Sequence, residues 1–134
     1  MPEPDTKAEL DRSAGGTVTM EISREMVSLM KEYLGRGPTR ARTYVRDNLV
    51  VCVMQDTMTK AERSLVAGSN QHQVREIRRL FQDSLRDDAI AIVERIMGRK
   101  VLSFMGDHDI ESDITAELFV LEPGLGEGVA PDVG

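Results

Sequence analysis

The stretch over residues 35–62, GRGPTRARTYVRDNLVVCVMQDTMTKAE, leaves the chain few ways to fold. Gly35 suits the left-handed position just past a helix end, and Pro38 cannot continue a helix, so the stretch opens on a corner. Residues 40–45 then alternate with period two: Ala41, Thr43 and Val45 point one way, while Arg40, Arg42, Tyr44 and Arg46 point the other. Asp47-Asn48 reads as a tight turn, because both residue types tolerate positive φ. The nearly unbroken apolar run that follows, over 49–55, predicts a strand nearer the middle of a sheet. Thr59 and Glu62 stand at capping-box spacing, which predicts a helix start immediately after the hairpin.

The flanks fit around that hairpin. Ile22, Met26, Leu29, Met30 and Tyr33 share one helical face, predicting a helix over 19–34. A short helix runs to Ala67 and closes at Gly68. A longer one, capped by Asn70, carries the stripe Val74, Ile77, Phe81, Leu85, Ala89, Ile92, Val93 and Ile96 to Gly98. Residues 70–97 would make a helix of roughly 40 Å, longer than six-residue strands can cover. Either it breaks near Arg86, Asp87 and Asp88, or its surplus packs on a second subunit; the homodimer is favoured. Residues 100–105 and 115–121 read as a second hairpin around an acidic loop over 106–113. The expected fold class is α+β: order α-β-β-α-α-β-β, an antiparallel four-stranded sheet with helices packed on one side.

Composition narrows the function. The 134 residues carry a net charge of −6 and are 40% apolar, slightly low for a globular domain. Residues 1–18 and 122–134 are rich in Pro, Gly and charge and read as disordered tails around one domain over 19–121. The negative balance argues against nucleic acid as a partner. The longest apolar run, 49–54, is far short of a membrane span, and no signal peptide is visible, so a cytoplasmic protein that does not insert into a membrane is expected. Cys52, the single cysteine, excludes an intramolecular disulfide and reads as an inert core thiol.

Three constellations are candidates for function. Arg36, Arg40, Arg42 and Arg46, with Tyr44 interleaved, form a basic ribbon beside Gly35, Gly37 and Pro38. Guanidinium forks bind carboxylates and phosphates in bidentate fashion, and glycine lets backbone amides approach an anion. The plainer reading is an edge strand whose arginines resist aggregation. Asp107, Asp109, Glu111 and Asp113 place carboxylates at alternate positions, yet no EF-hand pattern fits and no second histidine joins His108, so no metal is assigned. Arg75, Arg78, Arg79 and Arg86, interrupted by acids on the long helix, read as surface ion pairs. No G-x-S-x-G elbow, HExxH or Walker sequence is present. The residues point to no enzyme, no catalytic group and no cofactor.

Together, Gly35-Arg36-Gly37-Pro38, Asp47-Asn48-Leu49-Val50-Val51, Met58-Thr59 with Glu62 and Leu65, Val74-Arg75, Arg78 and Arg79 with Phe81, Gly98-Arg99-Lys100-Val101 and Phe119-Val120-Leu121 resemble the YbcI/MpsC-type bacterial family. The resemblance covers 19–121; Met58 stands where the family pattern usually has Leu. It implies an accessory or regulatory cytosolic protein tied by name to a Na⁺-translocating, membrane-potential-generating system, with a membrane-system or signalling protein as partner. It supplies no catalytic residues. A bicarbonate-handling system would suit the same role. The alternatives are a small-anion or nucleotide sensor using residues 35–38 with Arg40 and Arg42, and, more weakly, single-stranded RNA binding by the Arg-Tyr ribbon.

Overall fold

The computed structural model describes residues 16–123. The elements run α1 (Gly16–Leu34), β1 (Arg40–Arg46), β2 (Leu49–Gln55), α2 (Lys60–Ala67), α3 (Gln71–Met97), β3 (Val101–Asp109) and β4 (Ile114–Leu121). All strand pairs are antiparallel, in the order β1-β2-β4-β3. The expected α+β architecture is therefore the observed one, and the apolar run over β2 does occupy an inner strand.

The local signals act where expected. Gly35 takes φ 82° and its amide reaches Lys31 O at 2.8 Å, ending α1. Asp47 takes φ 54° in the β1–β2 turn. Asn48 instead tucks inward, its Nδ2 donating to Leu121 O at 3.1 Å, so the turn is pinned to the end of β4. Both bonds of the Thr59–Glu62 capping box form. Asn70 holds the N-cap position of α3, but its side chain donates to Gly68 O and caps nothing.

One face of the sheet is covered by helices. Ile22, Met26, Leu29 and Met30 of α1 and Leu85, Ala89 and Val93 of α3 close over Ala41, Val50, Cys52, Met54, Phe104, Phe119 and Leu121. Burying an aliphatic or aromatic side chain contributes about 1.5–3 kcal/mol, so this interface dominates the stability of the domain. Ser23 and Thr43 place one polar contact inside it, hydroxyl to hydroxyl at 2.7 Å.

Four expectations need correction. The first helix begins at Gly16, not Thr19, so residues 16–18 belong to it; of the predicted tail over 122–134, Glu122 is fastened to Lys100 O and Arg99, and 1–15 and 124–134 lie outside the described residues. α3 is continuous over 27 residues. The expected alternative of a break near Arg86, Asp87 and Asp88 therefore does not occur, and the N-terminal part of α3 meets α2 and the loop before it, where Arg78 reaches Glu62. The second hairpin is longer than expected: β3 runs to Asp109, shrinking the acidic loop to 110–113. Alternating acids are as compatible with a strand that has one wet face as with a loop. Finally, Arg78 is buried, whereas Ile77 is 37% exposed, so the buried stripe of α3 runs through an arginine.

Candidate functional site

The basic ribbon divides. Arg40, Arg42, Tyr44 and Arg46 lie on the sheet face away from the helices, at the β1 edge. Arg42 Nη1 donates to Tyr44 Oη at 3.1 Å and its guanidinium lies 5.9 Å from that ring. Arg36 is used elsewhere: Nη1 donates to Asp56 O at 2.8 Å and Met58 O at 2.7 Å, and Nη2 pairs with Asp56 Oδ2 at 3.2 Å. The corner over 35–38 is thus fastened to the loop after β2, and a Cβ added at Gly37 would come into contact with Val27 and Lys31 of α1. Arg36 does not join the other arginines in one site.

That loop, residues 56–59, is the hub of a buried polar seam which the sequence pattern did not reveal. Glu62, placed inward by the capping box, receives Arg78 through two parallel bonds, Nε to Oε2 at 2.7 Å and Nη2 to Oε1 at 2.8 Å. Arg78 also donates to Thr57 Oγ1 at 3.1 Å and Thr57 O at 3.0 Å. Burial works against the Glu62 charge, but Arg78 and the Thr59 amide outweigh it and hold the carboxyl below its ordinary range. Asp113, with φ 53° in the β3–β4 turn, turns back to accept from the amides of Thr57 and Met58 at 3.3 and 3.2 Å. His108 Nε2 lies 2.8 Å from Asp113 Oδ1. Burial again opposes the charge of Asp113; His108 and the Met58 amide prevail and lower its pKa. At the outer end, Arg63 bridges Asp56 and Asp113, and Arg36 and Arg63 keep Asp56 ionised. Asp113 therefore faces the loop over 57–58 instead of joining Asp107, Asp109 and Glu111. Among the described residues, no group of three or more His, Cys, Asp or Glu could hold a metal.

The seam opens into a cleft of about 630 Å³ between the first half of α3 and β3. Arg75, Arg79, Arg86, Gln82 and His108 line it, with Asp83, Asp107 and Asp109 also on its walls. The His108 side chain is 4% exposed and its Nδ1 makes no hydrogen bond. Behind the cleft Glu117 is 1% exposed, its Oε1 accepting from Gln82 Nε2 and its Oε2 without a partner. Burial pushes its carboxyl up to about 7, partly offset by the Gln82 bond, so near neutrality it is substantially protonated. Gly106 makes this possible, since a Cβ there would fall 2.0 Å from Gln82 Nε2 and 2.3 Å from Glu117 Oε1. Cys52, the cross-strand neighbour of Glu117, is pushed by burial up to about 12 and stays a thiol. A thiol held protonated is a poor nucleophile, in keeping with its reading as a core residue.

Arg36, Thr59, Glu62 and Arg78, named above for a family resemblance, converge on this seam. The signal for it was present: a glutamate at the third helical position and an arginine in register with an apolar stripe. Their pairing across 16 residues is what periodicity does not show.

The family model described as "Na+-translocating membrane potential-generating system (MpsC)" matches residues 15–123. The chain is similar to "Uncharacterized protein YbcI" of Bacillus subtilis (strain 168), 28% identical over 98 residues, 72% of this chain and 78% of that one. It is also similar to "Uncharacterized protein YrhF" of the same organism, 26% identical over 101 residues, 74% of this chain and 83% of that one. No solved structure matches.

Proposed function

The chain belongs to the MpsC family, and from that premise we propose that it is an accessory or regulatory protein of an ion-translocating membrane system, with no reaction of its own. On this reading the ion path is built by other chains. Among the described residues of this one, no helix is long and apolar enough to cross a membrane. The observation that carries the reading is the closure of the polar seam. Arg78 directs its donors to Glu62 and Thr57, Asp113 serves two backbone amides and His108, and Arg36 clasps Asp56 and Met58. Charged groups committed to one another in this way hold a surface in shape for recognition. The test is membrane potential, followed with a voltage-sensitive dye in cells with and without the gene, in sodium and in potassium medium. A sodium-dependent loss of potential that the wild-type gene restores is expected; identical traces overturn the reading.

The cleft favours a second reading, a small-anion or nucleotide sensor. Its support is the meeting of Arg75, Arg79 and Arg86 with the unpartnered Nδ1 of His108, rather than the corner over 35–38. A thermal-shift screen of phosphates, nucleotides and bicarbonate checks it. A ligand at 100-fold its Kd adds about 2.7 kcal/mol, and the shift is expected to vanish in Arg75→Ala/Arg79→Ala. A flat screen removes the idea.

A further inference from the structure

Two buried side chains at the cleft each leave one polar atom unpaired, and the two atoms are opposite in kind. Register sets Glu117 of β4 across from Gly106 and Thr115 across from His108 of β3. Glu117 and His108 are therefore diagonal neighbours on one side of the sheet, within reach of each other for long side chains. Gly106 has no Cβ, and the room is taken by the Gln82 amide and the Glu117 carboxyl. Gln82 Nε2 gives one N–H to Glu117 Oε1 and retains a second, beside the cleft that Gln82 lines. Because Oε1 accepts, an acid proton on this carboxyl belongs on Oε2, which has no partner. Asp113 accepts from two amides as a carboxylate, so His108 donates to it from Nε2. That leaves Nδ1, in the uncharged ring, a bare acceptor. An acid hydrogen without an acceptor thus stands diagonal to a lone pair without a donor.

We infer that the cleft takes up an oxyanion together with one proton, held on Glu117 and directed at His108. The inference rests on the anion reading of the cleft and adds what regulates it. Arg75 and Arg79, both exposed early in α3, supply the attraction. An ionised Glu117 behind Gln82 opposes it, and a solvent proton that bonds to Oε2 cancels that charge, so anion and proton favour one another. Burial raises this carboxyl to about 7, which sets the exchange in the neutral range. The other groups around Glu117 do not take over the role. On α3, Arg78 is committed to Glu62 and Arg86 donates to Phe104 O. On β2, Cys52 stays a thiol, while α1 brings the apolar Met30 and Leu34 to the cleft. The wall acids Asp83, Asp107 and Asp109 are exposed, where salt screens them.

Sulfate is the probe, because it does not titrate near neutrality. Calorimetry of the full chain in two buffers of different ionisation enthalpy counts the protons taken up with each sulfate. Wild type at pH 7 is expected to take up a fraction of a proton, and its affinity to fall by roughly threefold or more between pH 6 and pH 8. In Glu117→Gln, with folding checked by circular dichroism, binding is expected to persist and uptake to disappear. In Arg75→Ala/Arg79→Ala binding itself is expected to be lost. Adenosine 5′-monophosphate in a parallel titration separates a phosphate ester from a free oxyanion. Its own ionisation strengthens binding as pH rises, so a fall in its affinity again belongs to the protein. Binding of pH-independent affinity without uptake, or uptake unchanged in Glu117→Gln, overturns the proton linkage and leaves the anion site standing. No binding of either probe overturns both.

Discussion

Glu117 shows how one side chain can set the pH response of a fold. Its carboxyl is raised from 4.5 to about 7 in the folded chain. Below pH 4.5 both folded and unfolded states hold the proton and the group costs nothing. As pH rises from there, the unfolded chain ionises first, and stability is lost until the folded carboxyl also ionises near pH 7. At 1.36 kcal/mol per unit, the loss is about 3 kcal/mol. Glu117→Gln retains an amide for Gln82 to meet and removes the titration. Its urea stability, compared with wild type, is expected to be similar at pH 4.5 and greater by up to that amount above pH 7. A difference independent of pH would refute the assignment. Glu62, Asp56 and Asp113 act in the opposite sense: their pKa values are lowered, so what they contribute is lost as pH falls through the folded values. The variant comparison separates the two limbs.

At the level of elements, the join between α2 and α3 rests on one buried ion pair. Removing Arg78 leaves Glu62 charged and enclosed, so Arg78→Ala should lower unfolding free energy by about 3–5 kcal/mol. Adding Glu62→Gln to that variant is expected to recover part of the loss, while the same change in wild type destabilises. This reversal of sign in denaturant titrations identifies an uncompensated carboxylate; additive effects would contradict it. The same join explains what could be read from the chain beforehand. Gly35, the alternation over β1, the apolar run of β2 and the capping box are signals confined to a few neighbouring residues, and each formed as read. Arg78 was misplaced because a hydrophobic stripe was drawn through Ile77 and Phe81, whereas its partner lies 16 positions away on another helix. The acidic loop was too long because a wet strand edge and a loop share one composition. The cleft, made where α3 passes β3, belongs to no single stretch.

For the whole molecule, the described helices all pack on one face of the sheet, and the core lies between them and that face. The loop over 56–58 sits where these parts meet, and two guanidinium groups hold it from opposite sides. Arg36 takes the carbonyls of Asp56 and Met58, and Arg78 takes the carbonyl between them, that of Thr57. Three successive peptide oxygens are therefore gripped alternately from the corner after the first helix and from the long helix. Releasing one clasp therefore leaves the segment still held by the other, at a carbonyl next to those set free.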